Sequence, residues 1–140
     1  MGASDLAQRH FQPGSGETLE SSSPTRAWMS VFEDDGQTGY LYALDRERSH
    51  ANKIVDAVQI YTTTENYGDD DRPWLVAKVV WSPDGDRSAL EIDGRMLAAI
   101  DFANRVTYSL GEFPPAPEGW RHAKAESIAA IRNVFSGGAV

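Results

Sequence analysis

The sequence predicts an α+β fold: an antiparallel β-meander sheet of about six or seven strands packed against one C-terminal helix. Three observations carry this. Short apolar runs separated by turn residues fill positions 28–109. Within them Trp74–Ser82 is apolar on both faces, as expected of a central strand covered on both sides. Near the end of the chain, Ile128, Ile131 and Phe135 recur at helical spacing.

Residues 1–26 read differently from the rest. Pro13-Gly14-Ser15-Gly16 and Ser21-Ser22-Ser23-Pro24 leave only Leu6, Phe11 and Leu19 as large apolar residues before the first strand. That is too sparse to offset the entropy of ordering, so a flexible N-terminal leader is expected. Residues 27–140 are then a single globular domain. Trp28–Glu33 is its first strand, and Asp34-Asp35-Gly36 is a turn that tolerates positive φ. Thr38–Leu44 follows, with Tyr40 and Tyr42 on one face. A polar stretch over 45–53 leads to Asp56–Thr63, rich in β-branched residues. The connection over 65–73 is acidic.

In Trp74–Ser82, Leu75, Ala77, Val79 and Trp81 share one face, and Trp74, Val76, Lys78 and Val80 the other. Pro83-Asp84-Gly85-Asp86 is a tight turn. Ser82-Pro83-Asp84-Gly85 resembles a propeller-blade turn, but it occurs once, and a propeller needs at least four blades of roughly 40 residues. Arg87–Ile92 is a short strand with Ser88, Leu90 and Ile92 on one face. Asp93-Gly94 is a two-residue hairpin signal, after which Arg95–Ala103 returns antiparallel. Arg105–Ser109 is the last strand, and Pro114-Pro115-Ala116-Pro117 ends the sheet because proline donates no ladder hydrogen bond. The helix spans 123–135, with Lys124, Ile128, Ile131 and Phe135 as its stripe and Val134 beside them. Arg132 suits its C-terminal dipole, and Ser136-Gly137-Gly138 stops it.

Composition narrows the function. Twenty-one acidic against 13 basic residues give a net charge of −8 among 140 residues, which argues against nucleic acid, whose binding rests on Lys and Arg. The chain has no cysteine, so disulfides and thiolate chemistry are excluded, and its 3 His are scattered. Apolar runs fall far short of the ~20 residues that span a bilayer, and no basic n-region precedes an apolar core. A soluble cytoplasmic protein with no membrane or cofactor partner is expected.

Few residues suggest chemistry. The acidic turns at Asp34-Asp35, Asp69–Asp71, Asp84, Asp86 and Asp93 lack the alternating ligands of a calcium loop and read as solvated. Asp101 is set in an apolar run, Leu97–Ala103, where an inward carboxylate needs a partner; Arg72, Lys78, Arg95, Arg105 or a tyrosine are the candidates. Tyr67 and Trp120 lie in expected loops and are candidate interface aromatics. No nucleophile elbow, phosphate loop, dinucleotide fingerprint or His-Glu-x-x-His occurs.

The run Val31-Phe32-Glu33-Asp34-Asp35-Gly36-Gln37-Thr38-Gly39-Tyr40-Leu41-Tyr42-Ala43-Leu44-Asp45 resembles the opening of a family of small uncharacterised bacterial proteins, the domain-of-unknown-function family numbered about 2251. Asp56-Ala57, Ile60-Tyr61, Trp81-Ser82, Leu90–Ile92, Asp101-Phe102 and Phe113-Pro114 extend the resemblance over 31–114, leaving the leader and the helix outside it. It implies a compact bacterial domain and transfers no activity. It marks Glu33, Asp34, Asp35, Tyr40, Tyr42, Asp56, Tyr61 and Asp101 as a set expected to converge.

The leading expectation is a non-enzymatic binding or accessory protein whose acidic surface meets a basic protein partner, as an immunity-type inhibitor would. The rival is a small enzyme or ligand binder with a carboxylate and tyrosine site near Asp101.

Overall fold

A computed structural model describes residues 7–48, 53–63 and 72–137. Along the chain run β1 (Ala7–Phe11), β2 (Thr18–Ser22), β3 (Trp28–Asp34), β4 (Thr38–Asp45), β5 (Ile54–Thr62), β6 (Leu75–Trp81), β7 (Arg87–Ile92), β8 (Arg95–Asp101), β9 (Val106–Ser109), β10 (Arg121–Lys124) and α1 (Ile128–Phe135). The strands form two sheets, not the single meander expected. One has the order β1-β6-β7-β8-β9-β10 and the other β2-β3-β4-β5. All pairs are antiparallel except β9 with β10, so the larger sheet is mixed.

The chain stacks as three layers: four strands, six strands, helix. Phe32, Leu41, Ala43, Val58 and Tyr61 of the smaller sheet pack against Ala77, Val79, Leu90, Ala98 and Ile100 of the larger. The far side of the larger sheet offers Ala89, Met96 and Ala99 to Ile131. This accounts for only part of the second apolar face expected of β6, since Trp74, just ahead of the strand, is 69% exposed. Ala77 and Val79 face the smaller sheet, whereas Val80 packs on the helix side. Strict alternation breaks twice in β5, where the register against β4 skips Ile60 and Val55, and once in β8. Leu90 pairs with Ala98 and Glu91 with Met96, so a bulge leaves Leu97 over and moves Met96 to the helix side.

Two expectations about the ends of the chain are corrected. The stretch read as a flexible leader carries β1 and β2 from Ala7 onward. Both are edge strands, so each gains its hydrogen bonds from one neighbour and needs one anchor in the core. Phe11, 1% exposed, meets Phe32 edge-on at 5.2 Å, and Leu19 joins the same cluster. Leu6 lies outside the described residues. The helix is shorter than expected. Residues 121–124 are pulled into β10 beside β9, and Ser127 caps the helix by accepting from the Ala130 N–H at 3.1 Å. Lys124 is therefore a strand residue, and Ile131 and Val134 are the buried part of the stripe.

Local signals hold where backbone geometry is demanding. Asp93 and Gly94 both have positive φ, 50° and 79°, as a two-residue hairpin turn of this type requires. A Cβ at Gly39 would overlap the Tyr61 ring, so glycine there lets the tyrosine lie across β4.

Candidate functional site

The eight residues expected to converge separate into distinct places. Glu33, Tyr40 and Tyr42 stand on the outer face of the smaller sheet, away from the larger one. The register builds that face in rows. Glu20, Val31, Tyr42 and Ala57 are cross-strand neighbours in turn, as are Thr18, Glu33, Tyr40 and Gln59. Tyr40 and Tyr42 stack with centroids 5.8 Å apart, and Tyr42 donates to Glu33 Oε1 at 2.9 Å. Burial, then the Glu33 hydrogen bond and charge, push the Tyr42 hydroxyl well above the ordinary tyrosine range. Whatever this hydrogen bond contributes to stability is present below the ordinary tyrosine pKa and is lost only as pH rises through the raised one. A shallow cleft of about 320 Å³ runs across Val31, Tyr42, Leu44 and Ile54, flanked by Glu20 and Glu33. Ile54 is 58% exposed at its edge.

Asp34 and Tyr61 form a second, closed arrangement. The Asp34 carboxylate is buried and accepts from the N–H groups of Gly14 at 2.6 Å, Gly16 at 3.3 Å and Gly36 at 2.9 Å, and from the Tyr61 hydroxyl at 2.5 Å. Four donors saturate the carboxylate and fold the Pro13–Gly16 loop around it. This is a structural joint. Asp35, beside it, accepts from the N–H groups of Gln37 and Thr38, which hold its carboxyl below the usual range. Asp84 is lowered likewise by the Ser82 hydroxyl and the Asp86 N–H. Both are turn-formers, whereas Asp93 ties the β7–β8 turn to β6 by accepting from the Val76 N–H at 2.8 Å.

Asp101 closes a turn. Its carboxylate accepts from the Asn104 N–H at 3.0 Å and the Asn104 side-chain amide at 2.8 Å, and among the described residues none of the basic or tyrosine partners weighed from sequence is bonded to it. The tyrosines expected near it belong to the other sheet.

Asp56 has a partner the sequence did not suggest. His122 Nε2 lies 2.8 Å from Asp56 Oδ1, and Thr107 donates to Asp56 Oδ2 at 2.5 Å. His122 Nδ1 lies 3.0 Å from the Glu112 carbonyl oxygen. The side chains of His122 and Asp56 are 4% and 1% exposed. The chain Thr107–Asp56–His122 joins β5 of one sheet to β9 and β10 of the other. It resembles an acid–base relay in composition, but both ring nitrogens are engaged and buried, so neither is free to take a substrate's proton. No spacing rule links positions 56, 107 and 122; the parallel β9–β10 pair sets Thr107 beside His122, and the packing of the two sheets brings Asp56 to both.

An aromatic-walled cleft opens where β3, β4 and β5 meet the loops after β8 and β9. Phe102 is stacked between Trp28 at 5.2 Å and Trp81 at 5.6 Å, with planes 13° and 19° from parallel, and Trp120 meets it edge-on at 6.0 Å. Trp120, expected in a loop, is half-buried against this stack. Tyr67, Asp69–Asp71 and His50 lie outside the described residues, and His10 sits exposed on β1. Among the described residues, no three of His, Asp and Glu gather as metal ligands do, and no helix is long and apolar enough to cross a membrane.

A family model described as an uncharacterized protein conserved in bacteria, DUF2251, matches residues 11–135. The match takes in Phe11 at the end of β1, all of β2 and the helix, so it is wider than the 31–114 resemblance read from the sequence. An uncharacterized protein of Haemophilus influenzae is 37% identical over 84 residues, which are 60% of this chain and 50% of that protein. The chain thus spans about half the length of that relative. No solved structure matches the chain.

Proposed function

We propose that this chain, which belongs to the DUF2251 family of uncharacterised conserved bacterial proteins, is a non-enzymatic binding protein that docks a basic protein partner on the outer face of its smaller sheet. One observation carries the reading. The helix covers the larger sheet over β7 to β9, but the rows Glu20–Val31–Tyr42 and Thr18–Glu33–Tyr40 are left half-exposed, with apolar Leu44 and Ile54 beside Val31. Tyrosines beside aliphatic side chains, ringed by carboxylates, suit a partner with Lys or Arg around an apolar centre. The net charge of −8 favours encounter with such a partner. An immunity-type inhibitor that covers a basic toxin is the specific form of this reading.

Charge removal tests it. Immobilised wild-type protein and a Glu20→Gln/Glu33→Gln variant are compared with a Glu126→Lys control, which changes the net charge by the same amount at an exposed position on the helix side. The proposal expects a basic protein retained at low salt by wild type and by the Glu126→Lys control, released as salt rises, and lost from the double variant. Equal retention by all three, or none by wild type, rejects it.

A further inference from the structure

We propose that the aromatic-walled cleft at the open end of the two sheets binds a small aromatic zwitterion: one ring carrying both a carboxylate and an amine, as a free aromatic amino acid does. The cleft holds about 230 Å³, below the ~300–1,000 Å³ of drug-sized sites, so it suits a single ring. Its wall is rigid. Trp28 is stacked on Phe102 and donates its indole N–H to Asp86 Oδ1 at 3.1 Å, so little reorganisation opposes a ring laid against it. Trp120 lines the same cleft, and its indole N–H has no acceptor among the described residues.

Charge defines the rest of the ligand. Arg48 and Arg105 line the cleft together with Asp45 and Glu118. None of these four makes an ion pair within 4.0 Å among the described residues; Asp45 Oδ1 accepts only from the Glu47 N–H, at 3.0 Å. Two unpaired guanidinium groups suit a carboxylate, and two unpaired carboxylates suit an ammonium group. A purely anionic ring would meet Asp45 and Glu118, and a purely cationic one Arg48 and Arg105. A zwitterion satisfies both pairs.

Backbone geometry adds a second pointer. Arg105 holds φ at 58°, a left-handed conformation uncommon for arginine. Its carbonyl accepts from the Arg121 N–H at 3.1 Å, which anchors that conformation, and its Nη1 lies 4.0 Å from where a Cβ on Gly119 would be. The strained residue thus places its guanidinium along the loop that forms the cleft wall.

The test is a titration of L-phenylalanine into the full chain, followed by calorimetry and by quenching of tryptophan emission. Parallel arms use phenylacetate, which lacks the amine, phenethylamine, which lacks the carboxylate, and L-alanine, which lacks the ring. Saturable binding of L-phenylalanine with Kd of about 1 mM or tighter is expected, with each arm at least about tenfold weaker. Arg105→Asn keeps a residue that tolerates left-handed backbone while removing the charge, and Arg48→Gln removes the other charge on an exposed side chain; each should weaken binding about tenfold or more. Circular dichroism of both variants confirms the native fold before titration. Absence of saturable binding by L-phenylalanine, affinity equal among the arms, or affinity unchanged in both variants overturns the proposal.

Discussion

Asp56→Ala is expected to destabilise the fold by about 3–5 kcal/mol, as removal of one partner from a buried polar pair does. The substitution leaves His122 Nε2 and the Thr107 hydroxyl facing a dry interior with no partner, and the desolvation cost of both then remains uncompensated. A loss of that size consumes much of the ~5–15 kcal/mol by which a domain is stable. Thr107→Val, which removes one neutral donor and keeps the shape, should cost about 1–3 kcal/mol. Urea unfolding of the two single variants, of His122→Ala and of the Asp56/His122 double variant gives the coupling directly. Additive losses, or a cost below about 1 kcal/mol for Asp56→Ala, would show that this chain does not hold the sheets together.

The second large effect is at Phe102. Phe102→Ala should cost about 3–5 kcal/mol, since it empties a fully buried site and ends both stacking contacts at once. Phe102→Leu keeps more of the volume and should cost distinctly less. The stack also supplies a spectroscopic readout. With the ring gone, Trp28 and Trp81 lose their shared partner, so the near-ultraviolet circular dichroism of the tryptophans should collapse while the far-ultraviolet spectrum persists. A native near-ultraviolet spectrum with an unchanged unfolding midpoint in Phe102→Ala would contradict the packing described.

Much of the fold was legible because its signals are local. Period-two alternation located β3 to β9 within a residue or two, and Asp93-Gly94 fixed its hairpin. What escaped depends on partners distant in sequence. β1 and β2 look too polar to fold because each buries little beyond Phe11 or Leu19 and Ser21; their remaining cohesion is backbone pairing, which composition does not reveal. Local periodicity cannot say that β5 and β6, neighbours along the chain, belong to different sheets, and the expected single meander failed there. β10 carries no strand signature in Arg121-His122-Ala123-Lys124, and its parallel pairing with β9 truncated the helix that periodicity extended back to 123.

The candidate site was legible only in part. Glu33, Tyr40 and Tyr42 do share a face, because alternation puts them there. Asp34 with Tyr61, and Asp56 with His122, are buried joints whose acidic members merely look like surface carboxylates in the sequence. Asp101 looked buried because its neighbours are apolar. It lies where β8 ends, and a strand-ending carboxylate has a turn N–H within reach.

The direct test of the account is photo-crosslinking from the outer face of the smaller sheet. A photoreactive p-benzoylphenylalanine placed at Tyr40 is compared with the same residue placed at Glu126, exposed on the helix side of the molecule. In bacterial extract a discrete adduct with a basic protein is expected from position 40 alone, competed away by unlabelled wild type and weakened by salt. Adducts of equal yield from both positions, or an adduct from position 126 only, would contradict it.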